Sequence, residues 1–338
     1  MAYEFDIIDV TLRDGSNAVD FQFTSEETYG IVEGLSKAGI KWIEVGHGLG
    51  LGASARSGKV AKETDETYIK TARNAARDAK IGCFFIQNIG TCDDIKAARS
   101  WGLDFLRIGP NASMEEIIEA VQFIKYAKEQ DLIVHCCVRK AYAVTPDELA
   151  RQAQILEEAG ADNIIVMDSA GNLMPNQVKE YITAIKDKFR GASGIKIGFH
   201  AHDNMGLATA CTIAAIEAGA DTVDTCLKGL GRSAGNTPTE YLIAALMRLG
   251  IVKGDLYALQ DLGDRWIGHR AYETLDSISL IFGMSGFHSA FYGMVKEVAG
   301  RYNIDPRIIV TEICKVDKIA PTAELAEEIA KQISNRKI

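Results

Sequence analysis

Residues 7–16 read IIDVTLRDGS, a short apolar run that ends in a polar turn containing Arg13 and Asp14. An apolar run of this length, rich in β-branched residues and bounded by turn residues, predicts a β-strand. The turn lacks the GxGxxG pattern that follows the first strand of a doubly wound, dinucleotide-binding sheet. The end of this first strand therefore favours a closed barrel over an open sheet.

Seven similar runs follow the first one, separated by longer amphipathic stretches. We predict strands at residues 7–12, 42–46, 81–86, 105–109, 133–138, 163–168, 196–201 and 222–227. The segments KAGIKW, EAGADN and EAGADT lead into strands, and their glycines can end a helix in the left-handed conformation. An open sheet, the alternative, usually has about five to seven strands. Eight βα units in a row predict an α/β protein with a (β/α)8 TIM barrel.

The strand pattern stops near Gly254, and the rest of the chain is predicted to be helical, with a clear amphipathic segment at residues 323–334. We therefore predict a catalytic barrel at residues 1–253 and a helical C-terminal extension at residues 254–338 that covers the active site. No linker rich in Pro, Gly and Ser separates the two, which argues against an independent second domain.

The composition is that of a globular enzyme, with 47% hydrophobic and 25% charged residues. The 37 basic and 46 acidic side chains give a net charge of −9 without a polybasic run, so we expect no binding to nucleic acid or membrane. The first residues lack a signal peptide, which predicts a cytoplasmic protein. The seven cysteines include no CxxC pair and are interpreted as reduced core thiols, with a nucleophilic cysteine as the alternative.

A metal site is predicted at the end of the seventh strand, where residues 199–204 read FHAHDN. His200 and His202 are two residues apart on an extended chain, so both imidazoles point to the same side and can share one ion. Asp14, after the first strand, adds a carboxylate and completes a set of two histidines and one carboxylate with open positions for substrate. The alternatives are a buried structural histidine and a surface Arg13–Asp14 ion pair.

Several motifs together resemble those of one enzyme family. They are TLRDG (11–15), MDSAGN (167–172), FHAHDN (199–204), GLGRSAGNTPTE (229–240), GMSGFHSAF (283–291) and RYNIDPRIIV (301–310). This combination, which extends over nearly the whole chain, resembles the 4-hydroxy-2-oxovalerate aldolase family of the metal-dependent barrel superfamily that also includes hydroxymethylglutaryl-CoA lyase and isopropylmalate synthase. The resemblance implies a carbon–carbon lyase that acts through the enolate of a 2-oxo acid such as pyruvate.

The resemblance also implies site residues and partners. Asp14, His200 and His202 would hold a divalent metal ion, with Mn²⁺ expected and Mg²⁺, Co²⁺ or Zn²⁺ as alternatives. Arg13 would stabilise the enolate oxygen, and Ser169 would donate a hydrogen bond to the substrate carboxylate. The co-substrate would be an aldehyde or an acyl compound. An acylating aldehyde dehydrogenase is the partner protein that the family implies, and we expect a homo-oligomer.

Two positions depart from the family pattern. Asn17 stands where the aldolases have a histidine that takes the proton from the substrate hydroxyl, and an amide cannot act as that base. His288 stands in the extension where they have a tyrosine. We hypothesise that His288 is the catalytic acid/base in place of the residue missing at Asn17. The alternative is that His288 only packs or donates a hydrogen bond where the tyrosine would.

Additional cations are predicted near the pocket. Arg139 and Lys140 follow the fifth strand, and Lys228 and Arg232 follow the eighth. Four cations at one barrel face favour a co-substrate more acidic than acetaldehyde, although each one alone could be a solvated surface residue.

The remaining histidines are interpreted individually. His47, in the glycine-rich segment EVGHGLGLG, is assigned to substrate binding on a flexible active-site loop. A phosphate cradle is the alternative for this loop, but it lacks the lysine of a P-loop. His135, inside an apolar strand, and His269, in the extension, are predicted to be structural.

Three functions are compatible with these residues. The first is an aldol lyase that releases a 2-oxo acid from a 4-hydroxy-2-oxo acid. The second is a Claisen-type synthase, which would instead consume acetyl-CoA in a reaction that depends on a 2-oxo acid. The third is a non-catalytic partner subunit, which would have no need for the enolate-stabilising set of Arg13, Asp14, Ser169, His200 and His202.

Overall fold

The structure, a computed structural model, describes residues 4–190, 194–268 and 277–336. Eight parallel strands form a closed barrel in sequence order: β1 (Asp6–Asp9), β2 (Trp42–Glu44), β3 (Lys80–Phe85), β4 (Phe105–Ile108), β5 (Ile133–Val138), β6 (Asn163–Asp168), β7 (Lys196–Ala201) and β8 (Thr222–Thr225). Pairing of β1 with β8 closes the ring, with Ile8 opposite Asp224. The predicted (β/α)8 barrel is confirmed, and the open sheet is excluded.

The helices surround the barrel and then continue into the extension. They are α1 (Ser25–Lys37), α2 (Ala53–Arg56), α3 (Asp65–Ala75), α4 (Cys92–Ser100), α5 (Met114–Glu129), α6 (Pro146–Glu158), α7 (Pro175–Lys188), α8 (Ala208–Glu217), α9 (Thr239–Arg248), α10 (Leu256–Trp266), α11 (Ser277–Ser285), α12 (Tyr292–Tyr302), α13 (Pro306–Val316) and α14 (Ala323–Arg336). No helix in the described ranges is long and apolar enough to cross a membrane.

Five barrel helices begin at hydroxyl caps, which fix where each loop after a strand ends. In α1, α3, α4, α5 and α6, a serine or threonine accepts a hydrogen bond from the backbone N–H three residues further along. At α1 the bond is reciprocal, because Glu27 accepts in return from the backbone N–H of Thr24. Capping satisfies N–H groups that the helix itself leaves unpaired. Each cap therefore fixes the residue at which the helix begins, and with it the end of the loop that follows the preceding strand.

The core has distinct parts. One apolar cluster fills the barrel interior around Phe105 and Ile165, and a larger one lies between the strands and their helices. A separate cluster, from Phe282 to Ala330, holds α11 to α14 together. Helix α10 contributes Leu259 to the larger cluster, the one between the strands and their helices. The predicted domain division after residue 253 stays a prediction.

His135 is a buried ring in the barrel interior, where it contacts the rings of Trp42 and Phe105. Burial is the largest cause that lowers its pKa, to about 3, so the ring is neutral. These contacts agree with a structural role. His269 lies outside the described residues. All seven cysteines are free thiols, and five of them are buried.

Candidate metal centre and active site

Three side chains converge at the carboxyl-terminal mouth of the barrel. Asp14 follows β1, His200 lies within β7, and His202 comes directly after it. The Oδ2 atom of Asp14 lies 3.3 Å from Nε2 of His200 and 3.7 Å from Nε2 of His202. Within the ranges that the structure describes, this is the one group of three or more His, Cys, Asp or Glu side chains spaced to hold a metal ion.

Hydrogen bonds at the far side of each imidazole set its orientation. Nδ1 of His200 lies 2.9 Å from Oδ2 of Asp224, and Nδ1 of His202 lies 3.2 Å from the carbonyl oxygen of Gly235. Both partners are acceptors, so each Nδ1 donates and each Nε2 carries the lone pair. Nε2 of His200 is buried and makes no hydrogen bond of acceptable geometry within the described chain. Two imidazole lone pairs and one carboxylate directed at one point are a donor set that fits a divalent ion.

The protonation states depend on burial and on the neighbouring charges. Burial raises the pKa of Asp14, but Arg13 and the two histidines lower it more, so that pKa lies well below its usual value. Burial lowers the pKa of His202 to about 4, against the attraction of Asp14. For His200, burial also lowers the pKa, but Asp14 and Asp224 raise it more, and the net shift is upward. Protonation of His200 at Nε2 therefore competes with an ion for the same lone pair, which couples metal binding to pH.

Beneath the candidate metal site, a buried charge network connects Arg13 to His200. Nε of Arg13 donates to Oε2 of Glu44 at 2.7 Å, and Nη1 of Arg107 donates to the same oxygen at 3.0 Å. Arg107 also donates to Oδ2 of Asp224, the oxygen that holds Nδ1 of His200. Arg107 and Glu44 are 0% exposed, so these charges are compensated by one another rather than by water.

Above the metal site lies a cavity of about 430 Å³, lined by Arg13, Asp14, Ser169 and His202 among others. Arg13 has one group to offer a ligand, because Nη2 is buried and makes no hydrogen bond within the described chain. Ser169 accepts a hydrogen bond from the backbone N–H of Lys140 at 2.9 Å, which leaves its own hydroxyl proton free to donate. The structure thus brings the predicted enolate and carboxylate contacts to the metal ligands.

Of the four predicted cations, the cavity is lined by Arg139, Lys140 and Arg232. Arg139 donates from Nε to the carbonyl oxygen of Gly109 and lies 3.6 Å from Glu116. Lys140 donates from Nζ to the carbonyl oxygen of Ile319 at 2.6 Å, so part of its role is to hold the extension against the barrel. Burial is the largest cause that lowers the pKa of both side chains.

Lys228 and His47 were placed wrongly by the sequence patterns. Lys228 forms an ion pair with Asp264 and is absent from the lining of the active-site cavity. His47 is 1% exposed and does not line that cavity either. Its Nε2 bonds the carbonyl oxygen of Lys59, its Nδ1 accepts from the N–H of Leu49, and its ring stacks on Phe21. Both ring nitrogens of His47 are therefore engaged within the loop, away from the lining of the cavity.

Asn17 connects the metal ligand to one of the cations. Its Nδ2 donates to Oδ1 of Asp14 at 3.1 Å, and its Oδ1 accepts from Arg232 at 2.8 Å. Asn17 is not among the residues that line the cavity. The amide orients Asp14 and Arg232, and no ionisable group exists at this position.

His288 enters the same cavity from the extension, together with Phe291. Its Nδ1 accepts a hydrogen bond from the N–H of Ala290 at 3.1 Å, so the neutral ring carries its proton on Nε2. Burial is the largest cause that holds the pKa of His288 well below its usual value, and Arg232 and Lys140 lower it further. The ring is thus a neutral N–H donor near neutral pH.

The sequence patterns did not identify three residues of the buried charge network, namely Glu44, Arg107 and Asp224. Each lies inside a strand whose other residues are buried, apart from the half-buried Trp42 of β2. A charged residue in such a strand needs a buried partner, which is the signal that could have identified them. Which of them meet could not be known without the register of the barrel.

The fold and the site define a (β/α)8-barrel enzyme with a candidate divalent-metal centre. A family model described as HMGL-like matches residues 4–264, and the chain belongs to that family, among its 4-hydroxy-2-oxovalerate aldolases. The chain is accordingly a carbon–carbon lyase.

Two relatives that align with this chain over nearly their full length support this assignment. The 4-hydroxy-2-oxovalerate aldolase of Carboxydothermus hydrogenoformans is 37% identical, over 99% of this chain and 98% of the relative. That of Chloroflexus aurantiacus is 36% identical, over 98% of this chain and 95% of the relative. The carboxyl transferase domain of Rhizobium etli pyruvate carboxylase, in a structure with pyruvate and biocytin, matches with a TM-score of 0.77 at 18% identity, over 99% of this chain and 61% of that one. This last likeness shows the fold alone.

We predict that replacing Asp14, His200 or His202 by alanine lowers bound metal and activity together while the barrel stays folded, because the ligands lie at strand ends. Metal content after dialysis against manganese, measured by plasma mass spectrometry, checks this. Asp203→Asn is the matched control, since Asp203 adjoins His202 but caps α8 through Ala208. Unchanged metal content in all three alanine variants would contradict the assignment.

Asp224→Asn should weaken manganese binding by roughly 10- to 100-fold, because an amide can present N–H groups to the N–H donors of His200 and Arg107. Isothermal titration of the metal-free protein measures the dissociation constant, and circular dichroism checks the fold. Asp221→Asn, at the other end of β8 and paired with Lys186, is the control. Equal affinities for both variants and the parent would exclude a positioning role for Asp224.

Proposed function

We propose that this chain is a divalent-metal-dependent aldol lyase that cleaves a 4-hydroxy-2-oxo acid into an aldehyde and pyruvate, and catalyses the reverse addition. The observation that carries the proposal is the combination of the Asp14, His200 and His202 donor set with the unpaired Nη2 of Arg13 in one cavity. The names of the full-length relatives support the same reaction class.

In cleavage, the C4 hydroxyl loses its proton to water in the open cavity and becomes the aldehyde as the bond between C3 and C4 breaks. The electron pair of that bond leaves negative charge on the 2-oxo oxygen of the pyruvate enolate, which then takes a proton at C3. A divalent ion, when bound, supplies Lewis-acid polarisation of that oxygen. Arg13 donates from Nη2 to the same oxygen, and Glu44 keeps the guanidinium in position through Nε. The hydroxyl of Ser169 binds the substrate carboxylate. Fixed donors in a site shielded from water stabilise such charge strongly.

His288 fits a different role from the acid/base role that we predicted. Its proton lies on Nε2, and its lowered pKa makes the imidazolium rare near neutral pH. We assign it as the hydrogen-bond donor to the oxygen on C4, which is the alkoxide in the addition direction. Removal of one donor of this kind typically costs about 10²- to 10³-fold in rate.

The co-substrate is proposed to carry an anionic group, as the sequence suggested. Support comes from Arg139 and Arg232, which line the cavity. Among the described residues, the one ion pair of Arg139 is the 3.6 Å contact with Glu116. Arginine is suited to bidentate binding of carboxylate or phosphate.

Other parts of the proposal rest on the family. We propose Mn²⁺ as the ion, although nitrogen and oxygen ligands also accept Mg²⁺, Co²⁺ or Zn²⁺. The acylating aldehyde dehydrogenase partner, the homo-oligomer and the cytoplasmic location stay predictions.

The reaction is tested by measuring pyruvate release from acidic and neutral 4-hydroxy-2-oxo acids with added manganese. We expect release that depends on metal and is abolished by chelation. Consumption of acetyl-CoA that depends on a 2-oxo acid, without pyruvate release from any substrate, would instead establish the Claisen-type synthase. A metal-loaded protein inert in both assays would support the partner subunit.

Arg139→Met should raise the KM for an acidic aldehyde by about tenfold or more and leave the KM for pyruvate within about twofold, because only the acidic group loses its counter-ion. Steady-state addition kinetics with glyoxylate and with acetaldehyde measure both constants. Arg151→Met, on the exposed face of α6, is the matched control. If acetaldehyde is the better acceptor and Arg139→Met changes neither KM, the co-substrate is not acidic.

His288→Ala should lower kcat by about 10²-fold with metal retained, whereas His288→Gln, which keeps an N–H donor, should recover most of that loss. The parent and His288→Gln should have the same acid limb in their pH–rate profiles. The lowered pKa of His288 keeps its imidazole neutral near pH 6.5, so the parent's profile contains no titration of this ring there. A glutamine variant as slow as the alanine variant would restore the acid/base role. Loss of a titration near 6.5 in His288→Gln would restore it as well.

A further inference from the structure

The end of the cavity opposite the metal is lined by amide side chains. Gln87 follows β3 and Asn111 follows β4, whereas the metal ligands belong to β1 and β7. In a closed ring of eight strands, β3 and β4 face β7 and β8 across the mouth. Asn111 also forms an isolated β-bridge with Arg139, which places it beside the proposed anion-binding group. A substrate held by the metal at one end would extend toward these amides.

Both amides have fixed orientations. Nε2 of Gln87 donates to the carbonyl oxygen of Glu116 at 2.8 Å. Nδ2 of Asn111 donates to Oε1 of Glu116 at 2.6 Å, and its backbone N–H donates to Oε2 at 2.8 Å. Because each amide nitrogen donates to an acceptor, these bonds fix which end of each amide is the oxygen.

The amide oxygens themselves are unpaired. Gln87 is only 7% exposed, and its Oε1 accepts no hydrogen bond from the described residues. Oδ1 of Asn111 is likewise buried and without a donor there. A buried polar atom left without a partner costs about 1–3 kcal/mol. Two such acceptors at one end of a ligand cavity indicate a ligand that brings hydrogen-bond donors.

The charges that line the cavity indicate which kind of donor group the ligand carries. An unsubstituted aldehyde has no donor, and neither does an ionised carboxylate. A cationic ammonium group is disfavoured because four cations line the cavity, namely Arg13, Arg139, Lys140 and Arg232, against the three acids Asp14, Glu116 and Glu119. Of these acids, Glu116 already accepts from Asn111 and lies 3.6 Å from Arg139. Neutral hydroxyl groups provide donors without this repulsion.

We infer that the aldehyde co-substrate is polyhydroxylated, a short sugar-like aldehyde whose hydroxyl groups donate to Oε1 of Gln87 and Oδ1 of Asn111. The inference rests on the proposed aldol reaction. It adds the class of aldehyde and a specificity role for two residues that are not part of the metal site. Arg139 would bind an anionic group on the same molecule.

The test compares aldehydes of equal chain length in addition to pyruvate. The metal-loaded enzyme is assayed with glyceraldehyde against propanal and with erythrose against butanal. We expect kcat/KM to favour the hydroxylated member of each pair by at least about tenfold. Gln87→Met should reduce that ratio to within about threefold and leave the KM for pyruvate unchanged. Gln154→Met, the same change on the exposed face of α6, should keep the parent ratio.

The two proposals fail in different ways. Addition to propanal and butanal that is as efficient as addition to the hydroxylated aldehydes overturns the inference and leaves the aldol lyase intact. A ratio that Gln87→Met does not change overturns the assigned role of this amide. Addition to glyoxylate but to none of the four aldehydes, by enzyme shown to contain metal, overturns the inference and leaves the aldol lyase intact. Absence of addition to all five aldehydes and of metal-dependent pyruvate release contradicts the aldol lyase and the inference with it.

Discussion

The guanidinium of Arg107 is the charge on which the arrangement of the site depends. It lies in the barrel interior, donates to Glu44 and Asp224, and has no exposure to water. Glu44 positions Arg13, and Asp224 sets the proton of His200. Removing one member of a buried pair typically costs about 3–5 kcal/mol, because the partner charge is left uncompensated. One interior residue therefore ties the oxyanion donor to the metal ligands.

Around this network, the barrel mouth divides into two halves with different chemistry. The half formed by β1, β7 and β8 carries the metal ligands, while the loops after β3, β4 and β5 carry amides and Arg139. The extension closes the space between them with His288 and Phe291. Lys140 holds the extension against the barrel, because its ammonium group donates to the carbonyl oxygen of Ile319 and lies over the ring of Phe291. Under the proposed reaction, bond cleavage takes place at the end of the candidate metal site, and the aldehyde is recognised at the other end.

The sequence was sufficient for the barrel and for bringing Asp14, His200 and His202 together as a candidate metal site, since strand count and the two-residue spacing of the histidines are local patterns. The sequence was insufficient where the neighbours of a side chain depend on the register of the strands or on the conformation of a loop. The partners of Arg107 lie on two other strands, so no local pattern identifies them. His47 is held inward by backbone groups of its own loop and of Lys59, and Lys228 forms an ion pair with Asp264 away from the cavity. Proximity in sequence to a strand end does not specify which way a loop residue points.

The most direct test of the central claim is hydrogen exchange at the methyl group of pyruvate, which reports the enolate whatever the aldehyde is. Manganese-loaded enzyme is incubated with pyruvate in heavy water, and deuterium incorporation is measured by mass spectrometry after chelation. The account predicts exchange that requires metal and falls by about 10²-fold or more in Arg13→Met with metal retained. No exchange above buffer by enzyme shown to contain metal, or undiminished exchange in Arg13→Met, would contradict it.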